Sequence, residues 1–163
     1  MIRPVQLSDA PQLAEMYNYY IRETTSTIEL EEITIADFEA RIKKITSKFP
    51  YIVWEEKGEI LGYACANTFR ERAGYRFTVE TSVYLRKDQF GKQLGTALYT
   101  ELMRLIKEQG FHRAIGGLTL PNPASERFHE KLGFKKVAHF DQVGRKFDQW
   151  YDVGFWLLDL DKH

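Results

Sequence analysis

The chain has 163 residues, 44% of them hydrophobic and 14% aromatic, with Lys+Arg and Asp+Glu balanced at 23 each. Such a chain suits one globular domain, residues 1–163, with a sizeable core; it excludes a disordered polymer and the basic footprint of a nucleic-acid binder. Met1-Ile2-Arg3-Pro4 lacks the apolar stretch of a signal peptide, and no window approaches the roughly 18 apolar residues of a membrane span, so a soluble cytoplasmic protein is expected.

Met1 to Leu7 reads as a short strand. Ser8 and Asp9 offer capping oxygens to a helix whose apolar positions are Ala10, Leu13, Ala14, Tyr17, Tyr20 and Ile21. Thr24 to Glu32 is polar and reads as a loop. A second helix opens at Thr34, with Asp37 three residues on and one apolar face of Ile35, Phe38, Ile42 and Ile45. From Tyr51 the period becomes strand-like: Tyr51 to Glu56 and Ile60 to Thr68 flank Lys57-Gly58-Glu59 as a hairpin. The single cysteine, Cys65, sits in this apolar run, reads as a small buried filler and precludes an intramolecular disulfide.

Thr78 to Leu85 alternates, with Val79, Thr81, Val83 and Leu85 on one face and Thr78, Glu80, Ser82 and Tyr84 on the other. A glycine-bearing loop leads to an amphipathic helix from about Gln93 to Gln109, which Gly110 ends. Arg113 to Leu120 reads as a strand, and Asn122-Pro123 as the N-cap and first position of a helix running to about Leu132. Lys135 to Phe140 and Trp150 to Leu160 close the chain as strands. Strands and helices mix in one α/β domain with a hairpin-rich N-terminal half.

Two segments carry chemistry. In the first, a strand runs through Phe90-Gly91-Lys92-Gln93-Leu94-Gly95-Thr96 into a helix. Unpaired N–H groups and partial positive charge at such a helix start can cradle a pyrophosphate, although glycines there also serve plain turns. In the second, Asn122 to Phe134 follows a strand and opens a helix with Ser125 and His129 on one face. Alone, His129 reads as a solvated surface histidine on an ordinary helix, and Glu80 more readily as a strand carboxylate in a salt bridge than as a base.

Taken together the two segments resemble the GNAT family of N-acetyltransferases, whose phosphate motif joins a strand to a helix and whose later motif is an Asn-initiated helix ending in Gly-Phe. Phe69 to Tyr75, Thr78-Val79-Glu80, His129-Glu130 with Leu132-Gly133-Phe134, Val143 to Phe147, and Trp150 to Trp156 are similar to the phosphinothricin and methionine sulfoximine acetyltransferases. Two positions depart from the motif: Phe90 stands where the family has Gln or Arg, and Gln93 where it has its first Gly.

The resemblance implies a central mixed, mostly antiparallel sheet flanked by helices (α+β), acetyl-coenzyme A as co-substrate, no metal, and a homodimer. It implies Glu80 as general base and His129 as the group that protonates the leaving thiolate or helps deprotonate the amine. Val83, Tyr84 and Leu85 would meet the pantetheine arm or acetyl carbonyl, Gly91 to Thr96 the phosphates, and Asn122 and Ser125 the coenzyme. Arg70 and Arg72, with Tyr75 and Lys146, would hold a small amino-acid-like acceptor, since guanidinium pairs bidentately with carboxylate. The rivals are the same transfer to another amine, against which the two arginines weigh if that amine is a polyamine, and a non-catalytic acyl-coenzyme A sensor, which needs neither Glu80 nor His129.

Overall fold

The computed structural model describes residues 1–162. In chain order the elements are β1 (Ile2–Pro4), α1 (Ala10–Glu23), α2 (Ile35–Thr46), β2 (Tyr51–Glu56), β3 (Glu59–Thr68), β4 (Thr78–Leu85), α3 (Leu94–Glu108), β5 (Arg113–Leu120), α4 (Pro123–Lys131), β6 (Lys135–Lys146) and β7 (Gln149–Asp159). The strands form one sheet in the order β1-β2-β3-β4-β5-β7-β6. Every neighbouring pair is antiparallel except β4 and β5, which run parallel. This is the mixed, mostly antiparallel sheet expected above.

The helices bury the sheet from both sides. On one face α1 and α2 bring Leu13, Tyr17, Ile21, Phe38 and Ile42 against Val53 and Tyr63. On the other, Leu98, Leu102 and Ile106 of α3 meet Val79, Trp156 and Leu158. β4 belongs to both layers: Val79, Val83 and Leu85 pack towards α3, and Tyr84 towards α1. Cys65 is 8% exposed, and burial pushes its thiol up to about 12, which leaves it an inert filler.

Three local expectations are corrected. Asp9 does not cap α1 forwards: its carboxylate turns back to accept from the Gln6 N–H at 2.8 Å and from Arg3 at 2.8 and 2.9 Å, within a short 3-10 turn. Thr34 does cap α2, accepting from the Asp37 N–H at 3.1 Å, but Ile35 on the first turn stays 48% exposed and the apolar stripe begins at Phe38. β6 runs beyond Phe140 to Lys146, through a register shift between Phe140 and Gly144 where Gln142 has φ 48°. Its hairpin to β7 turns on Phe147 and Asp148, both with positive φ. Neither is glycine, so the usual composition of a two-residue hairpin turn is missing there.

Candidate active site

β4 and β5 are hydrogen-bonded only from Thr78↔Arg113 to Glu80↔Ile115. Each keeps its other neighbour for the rest of its length, β4 pairing with β3 to Leu85 and β5 with β7 to Leu120. The two strands therefore part beyond Glu80 and leave a fork in the middle of the sheet. At its vertex the Thr81 and Tyr99 hydroxyls are 2.5 Å apart, and Thr81 Oγ1 lies 3.4 Å from the Ile115 carbonyl. The cavity in the fork runs along Thr81, Ser82, Val83 and Tyr84 on one side and Gly117, Leu118 and Thr119 on the other, with Asn122, Ser125 and His129 closing it.

Backbone groups line this opening. The Arg86 N–H donates to Leu61 of β3, so by strand alternation the N–H and C=O groups of Val83 and Leu85 face the fork. The Leu85 carbonyl is already taken by the Tyr20 hydroxyl.

Glu80 stands at the throat, half-buried on β4. Burial raises its carboxyl above the ordinary range, and the Arg70 guanidinium pulls the other way. Its Oε1 lies 3.8 Å from where a Cβ on Gly117 would stand, and it borders a second part of the cavity with Ser26, Ile28, Val153 and Phe155.

His129 closes the far side at 4% exposure. One helical turn separates it from Ser125, and its Nδ1 lies 2.8 Å from the Ser125 carbonyl. A carbonyl only accepts, so Nδ1 carries the hydrogen and Nε2 is the bare nitrogen of the neutral ring. The rings of Tyr99, Phe128 and Phe134 meet the imidazole edge-on. Burial among them lowers its pKa below the ordinary imidazole value, against the smaller opposite effect of the Ser125 carbonyl.

Between β4 and α3 the chain makes a 3-10 turn over Lys87–Gln89, then passes through Gly91 at φ 79° and Gln93 at φ 64°. The left-handed φ at Gln93 explains why the family motif places glycine there. The first-turn N–H groups of Leu94, Gly95 and Thr96 have no carbonyl within the helix to meet and remain donors suited to phosphate. Phe90 is 56% exposed. Asn122 Oδ1 accepts from the Ser125 N–H at 3.2 Å, capping α4 while its side chain borders the fork.

The β3–β4 connection carries Arg70, Arg72 and Tyr75, all exposed and none lining the cavity; Arg70 is stacked 4.9 Å over the Phe69 ring and is the one of the three within electrostatic range of Glu80. Lys146 does not join them. It is 3% exposed, and its Nζ donates to the Thr27 carbonyl at 2.9 Å and lies 3.4 Å from that of Tyr20. Several residues at the cavity had no expected role, among them Ile28 in the first loop, Tyr99 inside α3, and Val153 and Phe155 on β7. Tyr99 sits on the apolar stripe of its helix and reads as core; the others read as loop and strand filler. Among the described residues the one group able to gather on a metal, His139, Asp141 and Asp152, lies on β6 and β7 and includes none of the site residues.

The Acetyltransferase (GNAT) domain model matches residues 2–154, the span that holds the splayed parallel pair, the left-handed turn into α3 and the Asn-capped α4. The chain belongs to the GNAT family. It is 34% identical to the phosphinothricin N-acetyltransferase of Streptomyces coelicolor, covering 98% of this chain and 95% of the relative. It is 36% identical to the L-methionine sulfoximine/L-methionine sulfone acetyltransferase of Pseudomonas paraeruginosa, covering 98% and 94%. A Salmonella typhimurium acetyltransferase structure with its cofactor acetyl-CoA superimposes with TM-score 0.96 at 34% identity, over 100% of this chain and 95% of that one. This GNAT chain is accordingly an acetyl-CoA-dependent N-acetyltransferase of the phosphinothricin acetyltransferase-like group. No helix among the described residues is long and apolar enough to cross a membrane.

Proposed function

We propose that this GNAT enzyme acetylates the α-amine of a small amino acid of the phosphinothricin or methionine sulfoximine kind. The observation that carries the reading is Glu80: a half-buried carboxylate at the throat of the fork, with the Arg70 cation in electrostatic range. A base there meets an incoming amine, and the guanidinium beside it meets that acceptor's carboxylate. Arg72 and Tyr75 belong to the same exposed connection and extend the carboxylate subsite.

The residues of the fork fit the coenzyme: the Val83 backbone edge and the Leu85 N–H suit the amides of pantetheine, and the Gly91–Thr96 donors suit its pyrophosphate. When bound it supplies an acetyl thioester. The chain's own groups then handle two protons. An ammonium form of the acceptor gives its first proton to Glu80, whose raised pKa suits that task near neutral pH. As the C–N bond forms and the C–S bond breaks, bare His129 Nε2 takes the second proton from the nitrogen and returns it to the departing thiolate. Amide, free thiol and protonated Glu80 are left, and Glu80 discharges to solvent. A Val83 or Leu85 N–H facing the fork stabilises the negative charge that builds on the acetyl oxygen.

The same reading makes the working form a homodimer. Phe140, Val143, Phe147 and Trp150 of the β6–β7 hairpin are between 47% and 60% exposed, an apolar patch that a second copy would cover. The acceptor reading is tested by thiol release from acetyl-CoA with purified protein, over phosphinothricin, methionine sulfoximine, methionine sulfone, ordinary amino acids and spermidine. Release that follows the first three supports it; release with spermidine alone removes it.

A further inference from the structure

The connection from α1 to α2 crosses the mouth of the cavity beside Glu80, where Ser26, Thr27 and Ile28 face Val153 and Phe155 of β7. Nothing in its polar sequence asks for a fixed conformation, yet it is fastened at several points. The Tyr17 hydroxyl donates to the Glu29 carboxylate and is 2.8 Å from Thr27 Oγ1. Arg41 pairs with both Glu29 oxygens, at 3.1 and 2.9 Å. Lys146, arriving from the end of β6, donates to the Thr27 carbonyl at 2.9 Å.

Ile28 lies between these anchors, half-buried. A Cβ on Gly144 would stand 3.1 Å from Ile28 Cδ1, tighter than ordinary van der Waals contact, so β6 is free of a side chain just where Ile28 rests. A loop held this firmly, with one aliphatic side chain seated over a glycine and facing the acceptor end of the cavity, is built to keep a wall in place.

We infer that Ile28 sets the length of the acceptor side chain the enzyme admits, and that Lys146 is a positioning residue that holds Ile28 there. The inference rests on the reading that the acceptor is an amino acid lodged beside Glu80. Ile28, Val153 and Phe155 form the apolar end of its pocket. Lys146 has almost no exposed surface and its two observed partners are backbone carbonyls, Tyr20 near the end of α1 and Thr27 in the loop that follows, so its ammonium ties the loop to its helix and does not face a ligand.

The test compares kcat/KM of wild type, Ile28→Ala, Ile28→Phe and Lys146→Met over unbranched α-amino acids of increasing length, with methionine sulfoximine and methionine sulfone alongside. In a hydrophobic pocket one methylene changes discrimination by about 10–200-fold. Ile28→Ala is expected to favour the longer acceptors by about 10-fold relative to wild type, and Ile28→Phe the shorter ones. Lys146→Met should raise KM for the acceptor and flatten the order, with KM for acetyl-CoA unchanged and Lys146→Arg restoring part of the order. Ile28→Val, which removes one methyl, carries the same test with a smaller shift if the alanine variant folds poorly. An unchanged order in the Ile28 variants overturns the inference, as does a Lys146→Met defect that moves both KM values alike. A wild type that acetylates no amino acid would instead remove the acceptor reading itself.

Discussion

His129 Nε2 lies against the backbone of β5, 2.9 Å from where a Cβ on Gly116 would stand. Any side chain at 116 therefore pushes the imidazole out of place. Gly116→Ala is expected to lower kcat about 10²-fold, the penalty for displacing a reacting group by about 1 Å, and to cost about 1–3 kcal/mol of stability through overpacking. Steady-state kinetics with a parallel urea melt separates the two effects; wild-type kcat would show that the ring's position is immaterial.

The pH profile reports on Glu80 and its neighbour. With Glu80 as the proposed base, activity should fall on the acid side, with an inflection above the ordinary carboxylate range because burial raises its pKa. Glu80→Gln should lower turnover by about 10²–10⁴-fold near neutral pH. Arg70→Ala removes the cation that opposes the shift, so the acid limb should move to higher pH. A limb that stays put under Arg70→Ala would break the link between the two residues.

Glu80 and His129 leave opposite marks on stability. Glu80 has a raised folded pKa, so the fold holds its proton more tightly than the unfolded chain does. Its stabilising contribution is present below the unfolded pKa and is lost as pH rises through the folded value. Glu80→Gln should therefore melt above wild type at pH 7 and lose that advantage in acid. His129 has a lowered folded pKa, so its contribution is present above about 6.5 and is lost as pH falls through the folded value. His129→Gln should reduce the acid sensitivity of the melting temperature between those limits. Calorimetry across pH 4–8 decides both signs.

Gln93 holds a conformation that costs an L-residue about 1–2 kcal/mol, so Gln93→Gly should leave stability unchanged or raise it slightly despite glycine's greater chain entropy. Without the side chain, phosphate can approach the Gln93 N–H more closely, and calorimetric titration should show tighter acetyl-CoA binding. Weaker binding would mean that the Gln93 side chain itself contacts the ligand.

On the hairpin, Phe147→Asp with Trp150→Asp puts two charges on the exposed patch. Sedimentation velocity should show the double variant as a monomer at concentrations where wild type is a dimer; a wild-type monomer would remove the dimer from the reading.

How far the sequence disclosed this site depends on the element. β4, β5 and the start of α4 were legible to the residue because alternation and the Asn-Pro pair are local signals. Glu80 and His129 were legible only through family resemblance, since a carboxylate on a strand and a histidine on a helix have commonplace readings. The fork itself was not legible. It arises because β4 and β5 stop pairing after Ile115, a long-range event that no window of sequence records. Ile28 was hidden for the same reason, because a loop residue acquires meaning only from what it faces. Lys146 was assigned a ligand on resemblance, whereas its burial and its two carbonyl partners come from the chain's return along β6.

With only three residue pairs joining β4 to β5, the sheet is two slabs stitched along a short seam, β1 to β4 on one side and β5 to β7 on the other. A molecule lying along both lips of the opening is a strut across that seam and becomes part of the scaffold while it stays. Amides of Val83 and Leu85 should exchange quickly with solvent in its absence and slow together when it is present, so that the supply of acetyl-CoA regulates the rigidity of the enzyme as well as its turnover.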